Sequence, residues 1–382
     1  MDFSWTLEQI EFRHRVRAVI EEALPEDWAE KSRYDTSSAY VSEFSRTFCP
    51  RLSREGLLIP HWPVELGGGG LDAFHHWILG EEMFAVGEPR SYQYMNVNWV
   101  GPAIIKFGDD FQRERYISEI ASGSVIWCQG FSEPEAGSDL AALQTRAERR
   151  GDQYRLNGSK IWTSGAALAD YCFLLARTGD PGSRGISVFL MPMRTPGVDV
   201  RVIPNLMGQY SLHEVFLNEV VLPSSALLGE ENKGWEVVRA VLHNERIGAP
   251  RYSLSMRVLD HAVAILEARG GASGPARARA AKAMAALHAA RQLALHVIDG
   301  RVKGKPAGGS TNIARYALVA ADREVADFLC EFLHDDLVAN VDPLLSVGFR
   351  RTGSTGLAAG SAEIQLNLIA KHHLGLPVVS QS

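Results

Sequence analysis

Apolar residues recur at three- and four-residue intervals from Trp5 to Ala23. Leu7, Ile10, Val16, Val19 and Ile20 fall on one helical face, and Pro25 follows as a stop. Ser42 to Glu55 has the same period. The glycine run Gly67 to Gly70 interrupts it, and it returns from Phe74 to Val86 and again after Pro102 through Ile120. The first third of the chain therefore predicts helices.

Near Val125 the pattern changes. The segment QYRLNGSKIWTS predicts strand, turn, strand, with Asn157-Gly158 as the hairpin signal. DYCFLLAR, GISVFLMPM, VDVRVIP and HEVFLNEVVLP are short runs rich in β-branched and aromatic residues, separated by Gly, Pro and Asp. They predict a compact unit of roughly six to eight strands. From Gly234 helical spacing resumes. Trp235 to Leu266 predicts one or two helices, Gly270 to Gly274 a break, and Ala276 to Ile298 a run helical by propensity. Ile313 to Asn340 and Ala362 to His373 complete the pattern. Helices, then strands, then helices predict segregated layers and no alternating βαβ sheet. The expected fold is α+β and multidomain: an N-terminal α-helical domain over 1–125, a middle β-barrel-like domain over 126–228, and a C-terminal four-helix-bundle domain over 229–382.

Composition narrows the function. The 382 residues are 46% apolar and carry a formal net charge of −6, which predicts large cores and argues against nucleic acid as a partner. No stretch approaches ~20 continuous apolar residues, so no membrane span is expected. Cys49, Cys128, Cys172 and Cys330 lie at no metal or redox spacing and predict four reduced thiols in a cytoplasmic protein. His372-His373 lacks a metal-ligand pattern, so no metal is expected. No Gly-Lys-Ser/Thr follows Gly67 to Gly70, which therefore reads as a turn and not as a phosphate loop.

Four segments carry a family resemblance. WCQGFSEPEAGSDLAALQTRA (127–147), NGSKIWTSGAALADYCFLLAR (157–177), GEENKGW (229–235) and AAGSAEIQLNLIAKHHLGLP (358–377) resemble, in order and spacing, the signature segments of the acyl-CoA dehydrogenases. The resemblance covers nearly the whole chain. It implies FAD as cofactor, with Gln129, Phe131, Ser132, Trp162, Ser164 and Ser361 lining it, and Ser138 and Arg246 toward the acyl-CoA substrate. The physical reading agrees: a flavin edge needs donors such as the Ser132 hydroxyl, and its face needs flat apolar cover such as Trp162. Strand spacing would turn Ser164 to the same side as Trp162. Taken alone, either serine reads as an ordinary turn or strand hydroxyl, and Trp162 as core.

The family's chemistry removes a proton α to a thioester carbonyl and a hydride from the β carbon. The commonest position of its basic glutamate is here Ala359, which takes no proton. Other members place the base in a Glu-Arg pair on the first helix after the β domain. That makes Glu245, in His243-Asn244-Glu245-Arg246, the expected base, with the Ala359 backbone N–H polarising the carbonyl. The plain alternative for Glu245 is a solvated helix carboxylate. His243 reads as a packing histidine, and Glu363 as structural or flavin-contacting.

A second departure lies at 267–282, EARGGASGPARARAAK, where many members carry Arg-x-x-Phe-Gly. Arg269, Arg277 and Arg279 are the arginines available there. LLSVGFRRTGSTG stands where a glycine-rich pyrophosphate segment is usual. The resemblance also implies an electron-transferring flavoprotein as redox partner, and assembly as a homotetramer or as a heterotetramer with a related subunit. Beside the catalytic reading stand a non-catalytic or half-site subunit of a heteromer and, third, a flavin monooxygenase on the same fold.

Overall fold

The computed structural model describes residues 4–33, 36, 38–206, 211–247, 249–305, 308–358 and 360–377. The first helical stretch holds α1 (Leu7–Ala23), α2 (Trp28–Lys31), α3 (Ala39–Arg54), α4 (Ala73–Ala85), α5 (Gln93–Met95), α6 (Gly101–Phe107), α7 (Asp110–Gln112) and α8 (Ser118–Ala121). π-Helical segments Asn96–Val100 and Arg113–Ile117 join α5 to α6 and α7 to α8. The strands are β1 (Trp127–Gly130), β2 (Arg146–Arg150), β3 (Gln153–Lys160), β4 (Tyr171–Arg177), β5 (Ile186–Pro192), β6 (Val198–Val202), β7 (His213–Pro223) and β8 (Leu227–Leu228). Then come α9 (Gly234–Arg246), α10 (Tyr252–Ala268), α11 (Gly274–Val302), α12 (Gly309–Phe332), α13 (His334–Ala339), α14 (Pro343–Thr355) and α15 (Ala362–His372).

Side-chain caps mark where several helices start. Thr6 and Gln9 form a capping box on α1, and Asp72, Ser273 and Asp342 accept the first free N–H groups of α4, α11 and α14. No helix among the described residues is long and apolar enough to cross a membrane.

Two compact units emerge from the packing, and neither is one continuous stretch. One comprises Met1–Asp35, Leu71–Glu88 and Glu245–Ser382. Its core gathers Trp77, Tyr252, Leu259, Leu287 and Phe328, where α10, α11, α12 and α14 pack. Buried Glu81 of α4 is its polar centre: the carboxylate accepts from Arg13 (2.7 Å), Arg291 (2.7 Å) and the Tyr252 hydroxyl (2.5 Å).

The other unit comprises Thr36–Gly70 and Pro89–Asn244. Its sheet runs β6-β7-β3-β2-β4-β5-β8, with β1 added parallel to β4. Alternating side chains of Tyr154, Leu156, Leu174, Phe189 and Val215 fill its core. Asn96, in the first π segment, fixes where β1 begins: its amide donates to the Val125 carbonyl (2.7 Å) and accepts the Trp127 N–H (3.1 Å).

Two expectations change. Asn157-Gly158 is no hairpin turn: β3 runs straight through it, pairs with both β2 and β7, and absorbs it as a register shift between Leu156 and Gly158. A Cβ on Gly158 would sit 2.6 Å from Thr145 Oγ1, and its φ is +149°. The hairpin turns instead after β2, where Gly151 is left-handed. Next, the sheet releases the chain at Lys160, so Trp162 and Ser164 lie in a turn and the strand alternation expected for them does not apply. LLSVGFRRTGSTG, assigned no element from its pattern, forms α14 despite its glycines. Gly348 lets α14 press onto α10, since a Cβ there would meet Val258 at 2.7 Å.

Candidate active site

The strand unit supplies one group of expected site residues. Gln129, next to the end of β1, is half-buried opposite Phe173 of β4. Phe131 is buried against Phe173, ring centroids 6.0 Å apart. The next residue, Ser132, accepts the Ile161 N–H on its carbonyl (2.9 Å), which brings the segment after β1 beside Trp162. A buried ion pair holds this junction. Lys160 Nζ lies 2.7 Å from Glu133 Oε1, and the same carboxylate accepts the N–H groups of Gln144 and Thr145. Burial alone would raise the Glu133 pKa, but the charge and hydrogen bond of Lys160 outweigh it and hold the carboxyl below its usual range.

Trp162 combines two features that rarely occur together. The residue is 53% exposed, and its φ is +58°. A left-handed non-glycine residue costs roughly 1–2 kcal/mol, so its surroundings must enforce it. On one side is the Ile161–Ser132 bond. On the other, the Thr163 N–H donates to the His213 carbonyl (3.0 Å), and His213 Nδ1 lies 3.2 Å from the Thr163 carbonyl. The imidazole is fully buried, and that burial lowers its pKa, so it is neutral and donates from Nδ1. Further on, left-handed Gly165 donates to the Ser211 carbonyl and packs on the Tyr92 ring, where a Cβ would sit 2.8 Å away. Ser164 lies half-buried between these anchors. Ser138 is exposed, next to an open cleft of about 520 Å3 lined by Asp139, Gln144, Arg146 and Arg177. Arg177 braces the cleft's loops, donating to the carbonyls of Ala141, Leu143, Asp180 and Gly182.

The helical unit supplies the other group. Glu245 and Arg246 end α9 and are half-buried. Arg246 Nη1 donates to Asn312 Oδ1 of α12 (3.3 Å); burial lowers its pKa, and Glu245 opposes that. Arg301 of α11 donates to the Ile247 carbonyl (2.9 Å), just past the helix end. Ser361 is the N-cap of α15, its hydroxyl accepting the Ile364 N–H at 3.3 Å. Glu363 is exposed on the same helix. Ala359 and the His243 side chain lie outside what the structure describes.

Sequence reasoning passed over Lys160, Arg177, His213 and Arg315. Lys160 and Arg177 lie in the 157–177 signature segment but were not singled out within it, and His213 and Arg315 sit in runs read only for their period.

Models of the acyl-CoA dehydrogenase N-terminal, middle and C-terminal domains match residues 6–124, 128–220 and 232–374. The chain is 32% identical over 378 residues to acyl-CoA dehydrogenase IpdE1 of Mycobacterium tuberculosis, covering 96% of this chain and 97% of that one. It is 29% identical over 364 residues to the human mitochondrial short-chain specific acyl-CoA dehydrogenase, covering 91% and 88%. Among solved structures, the Tcur3481-Tcur3483 steroid acyl-CoA dehydrogenase superposes with a TM-score of 0.88 at 27% identity, covering 99% of this chain and 100% of that one. The ChsE4-ChsE5 complex from Mycobacterium tuberculosis gives the same TM-score, identity and coverage.

The chain belongs to the acyl-CoA dehydrogenase family. It is an oxidoreductase of that class, whose members are FAD-dependent.

Proposed function

We propose that this chain introduces an α,β double bond into an acyl-CoA thioester, with Glu245 as the base and FAD bound against Ser132, Trp162 and Ser164. The observation that carries the reading is Trp162. An exposed indole, held in a strained conformation by hydrogen bonds on both sides, is a surface kept for a flat partner. Covering about 100 Å2 of it at roughly 25 cal/mol per Å2 returns about 2.5 kcal/mol, which exceeds the backbone strain. The hydroxyls of Ser132 and Ser164 have no hydrogen-bond partner among the described residues, and they fit the polar edge of a flavin.

FAD, when bound, would supply the acceptor for the hydride that leaves the substrate's β carbon. Glu245 takes the α proton: the Cα–H bond breaks, its proton goes to a carboxylate oxygen, and its electron pair forms the new double bond. Arg246 and Arg315 each interact electrostatically with Glu245, and a nearby cation favours the proton-accepting form of a carboxylate. Ser138 and the cleft beside it are proposed to face the CoA end of the substrate. An electron-transferring flavoprotein is the proposed electron acceptor.

The test is the visible spectrum of the purified protein, recorded anaerobically during titration with a panel of acyl-CoAs. Flavin that bleaches in the wild type, and bleaches about 10²–10⁴-fold more slowly in Glu245→Gln, supports the reading. Bleaching of the variant at the wild-type rate would sink the base assignment.

A specific observation favours a second reading of assembly. The common base position holds alanine, and two similar solved structures are named as pairs of different chains. On this reading the chain works beside a related subunit on a steroid-derived acyl group, as the catalytic or the non-catalytic member. A colourless protein that gains flavin and activity only on co-expression with a related chain supports it; an active, flavin-saturated homotetramer eliminates it.

A further inference from the structure

Asn312 and Arg315 lie three residues apart on α12 and therefore share a face. Asn312 Oδ1 receives Arg246 Nη1 at the end of α9. Arg315 Nη2 donates to two carbonyls, Thr355 (2.6 Å) and Ala358 (2.9 Å). Thr355 is the last residue of α14, where helix carbonyls lack intrahelical partners, and Ala358 lies in the turn before α15. One face of one helix thus grips both the end of α9 that carries Glu245 and the turn from α14 to α15.

Arg315 is 2% exposed, and its Nε has no hydrogen-bond partner among the described residues. Asp322 is buried on the same helix, but its carboxylate accepts from the Ser255 hydroxyl at 2.5 Å. Burial pushes the Arg315 guanidinium down to about 10; Arg251 adds to this, while Asp322 and Glu245 oppose it. It stays protonated at any working pH. A buried cation held mainly by carbonyls is a poor device for stability alone, because desolvation costs more than neutral hydrogen bonds return. Its charge acts on Glu245.

We propose that Arg315 is a positioning residue for α-proton abstraction: it sets the 355–358 turn against the end of α9 and keeps Glu245 in its ionised form. The inference rests on Glu245 being the base. Among the described residues, the other charged groups near the pair include Arg246 on α9, Arg251 ahead of α10, Asp322 on α12, and Arg301 on α11, which bonds the Ile247 carbonyl. Arg351 of α14 reaches the Ser255 hydroxyl (3.4 Å).

The test uses the full chain, with its partner subunit if one is needed for flavin. Exchange of the substrate's α-hydrogens with D2O is followed by mass spectrometry, because it reads proton abstraction without hydride transfer. Arg315→Gln is expected to slow this exchange about 100-fold, with KM and flavin content unchanged, and to move the acidic limb of its pH profile upward. Arg315→Lys keeps a charge but loses the two-carbonyl fork. It is expected to keep the acidic limb in place while exchange remains slow. If Arg315→Gln does not fold, the lysine variant decides, and wild-type exchange in it overturns the proposal. So does wild-type exchange in Arg315→Gln, or a loss confined to KM or to flavin content. Glu245→Gln is the control: if it abolishes exchange while the Arg315 variants behave as wild type, only the positioning role falls. If it leaves exchange intact, the base assignment falls and takes the inference with it.

Discussion

Trp162 sets stability against binding at a single position. Its left-handed backbone costs roughly 1–2 kcal/mol, and glycine would remove that cost while adding about 0.5–1 kcal/mol of chain entropy. With the indole already half exposed, little packing is lost. Trp162→Gly is therefore expected to leave flavin-free protein as stable as wild type or up to ~1 kcal/mol more stable, while flavin retention collapses. Denaturant melts of the flavin-free protein and flavin absorbance after gel filtration read the two effects separately. A large stability loss in the flavin-free variant would make Trp162 an ordinary packing residue. The sequence marked this tryptophan through its motif, but strand alternation mispredicted its backbone. Alternation assumes that the sheet continues, and β3 lets go of the chain two residues earlier, at Lys160. Nothing in HEVFLNEV marked His213, because a strand's period does not distinguish a histidine that fills the core from one that braces a neighbouring turn.

At the scale of elements, the Glu133–Lys160 pair ties the signature turn to the end of β3. The lysine is fully buried, and its burial lowers its pKa while Glu133 opposes the shift. Removing one partner strands the other charge, so Lys160→Met is expected to cost about 3–5 kcal/mol, and Glu133→Gln with Lys160→Met to recover much of it. The linkage sign follows from the depressed carboxyl. Glu133 contributes stability above the unfolded carboxylate range, and that contribution fades as the pH falls through its folded value. The double variant should therefore show a shallower acid limb of stability than wild type. Urea melts from neutral pH downward measure both effects, and a loss under 1 kcal/mol in Lys160→Met would mean that the pair holds nothing. The element pattern was largely legible. Helices α1, α4, α11 and α15 fall within a few residues of their predicted spans, because periodicity and caps agree there. β3 and α14 were not, because a glycine speaks for a turn only when nothing packs on it. Gly158 lies against Thr145 and Gly348 against Val258, contacts that exist only after folding.

Across the whole molecule, the compact units draw on stretches far apart in the chain. The helical unit takes α1 and α4 from the N-terminal third and α10 to α15 from the last third. α4 brings Trp77, whose indole donates to Tyr252 (3.0 Å), and Glu81, which accepts from Tyr252 and Arg291. Residues 229–382 produced alone would keep Arg291 and Tyr252 and lose both partners. Stranding the charge costs about 3–5 kcal/mol. Losing a buried tryptophan costs about as much again, against a total of about 5–15 kcal/mol for a folded domain. The fragment is therefore expected to keep its helices by circular dichroism yet melt without a cooperative transition and bind a hydrophobic dye. Supplying residues 1–125 in trans should restore the transition, and carrying Glu81→Gln on that segment should weaken the rescue, because Arg291 then meets no charge. A sharp melt of the isolated fragment, within a few degrees of the full chain, would show that its helices need nothing from the N-terminal third.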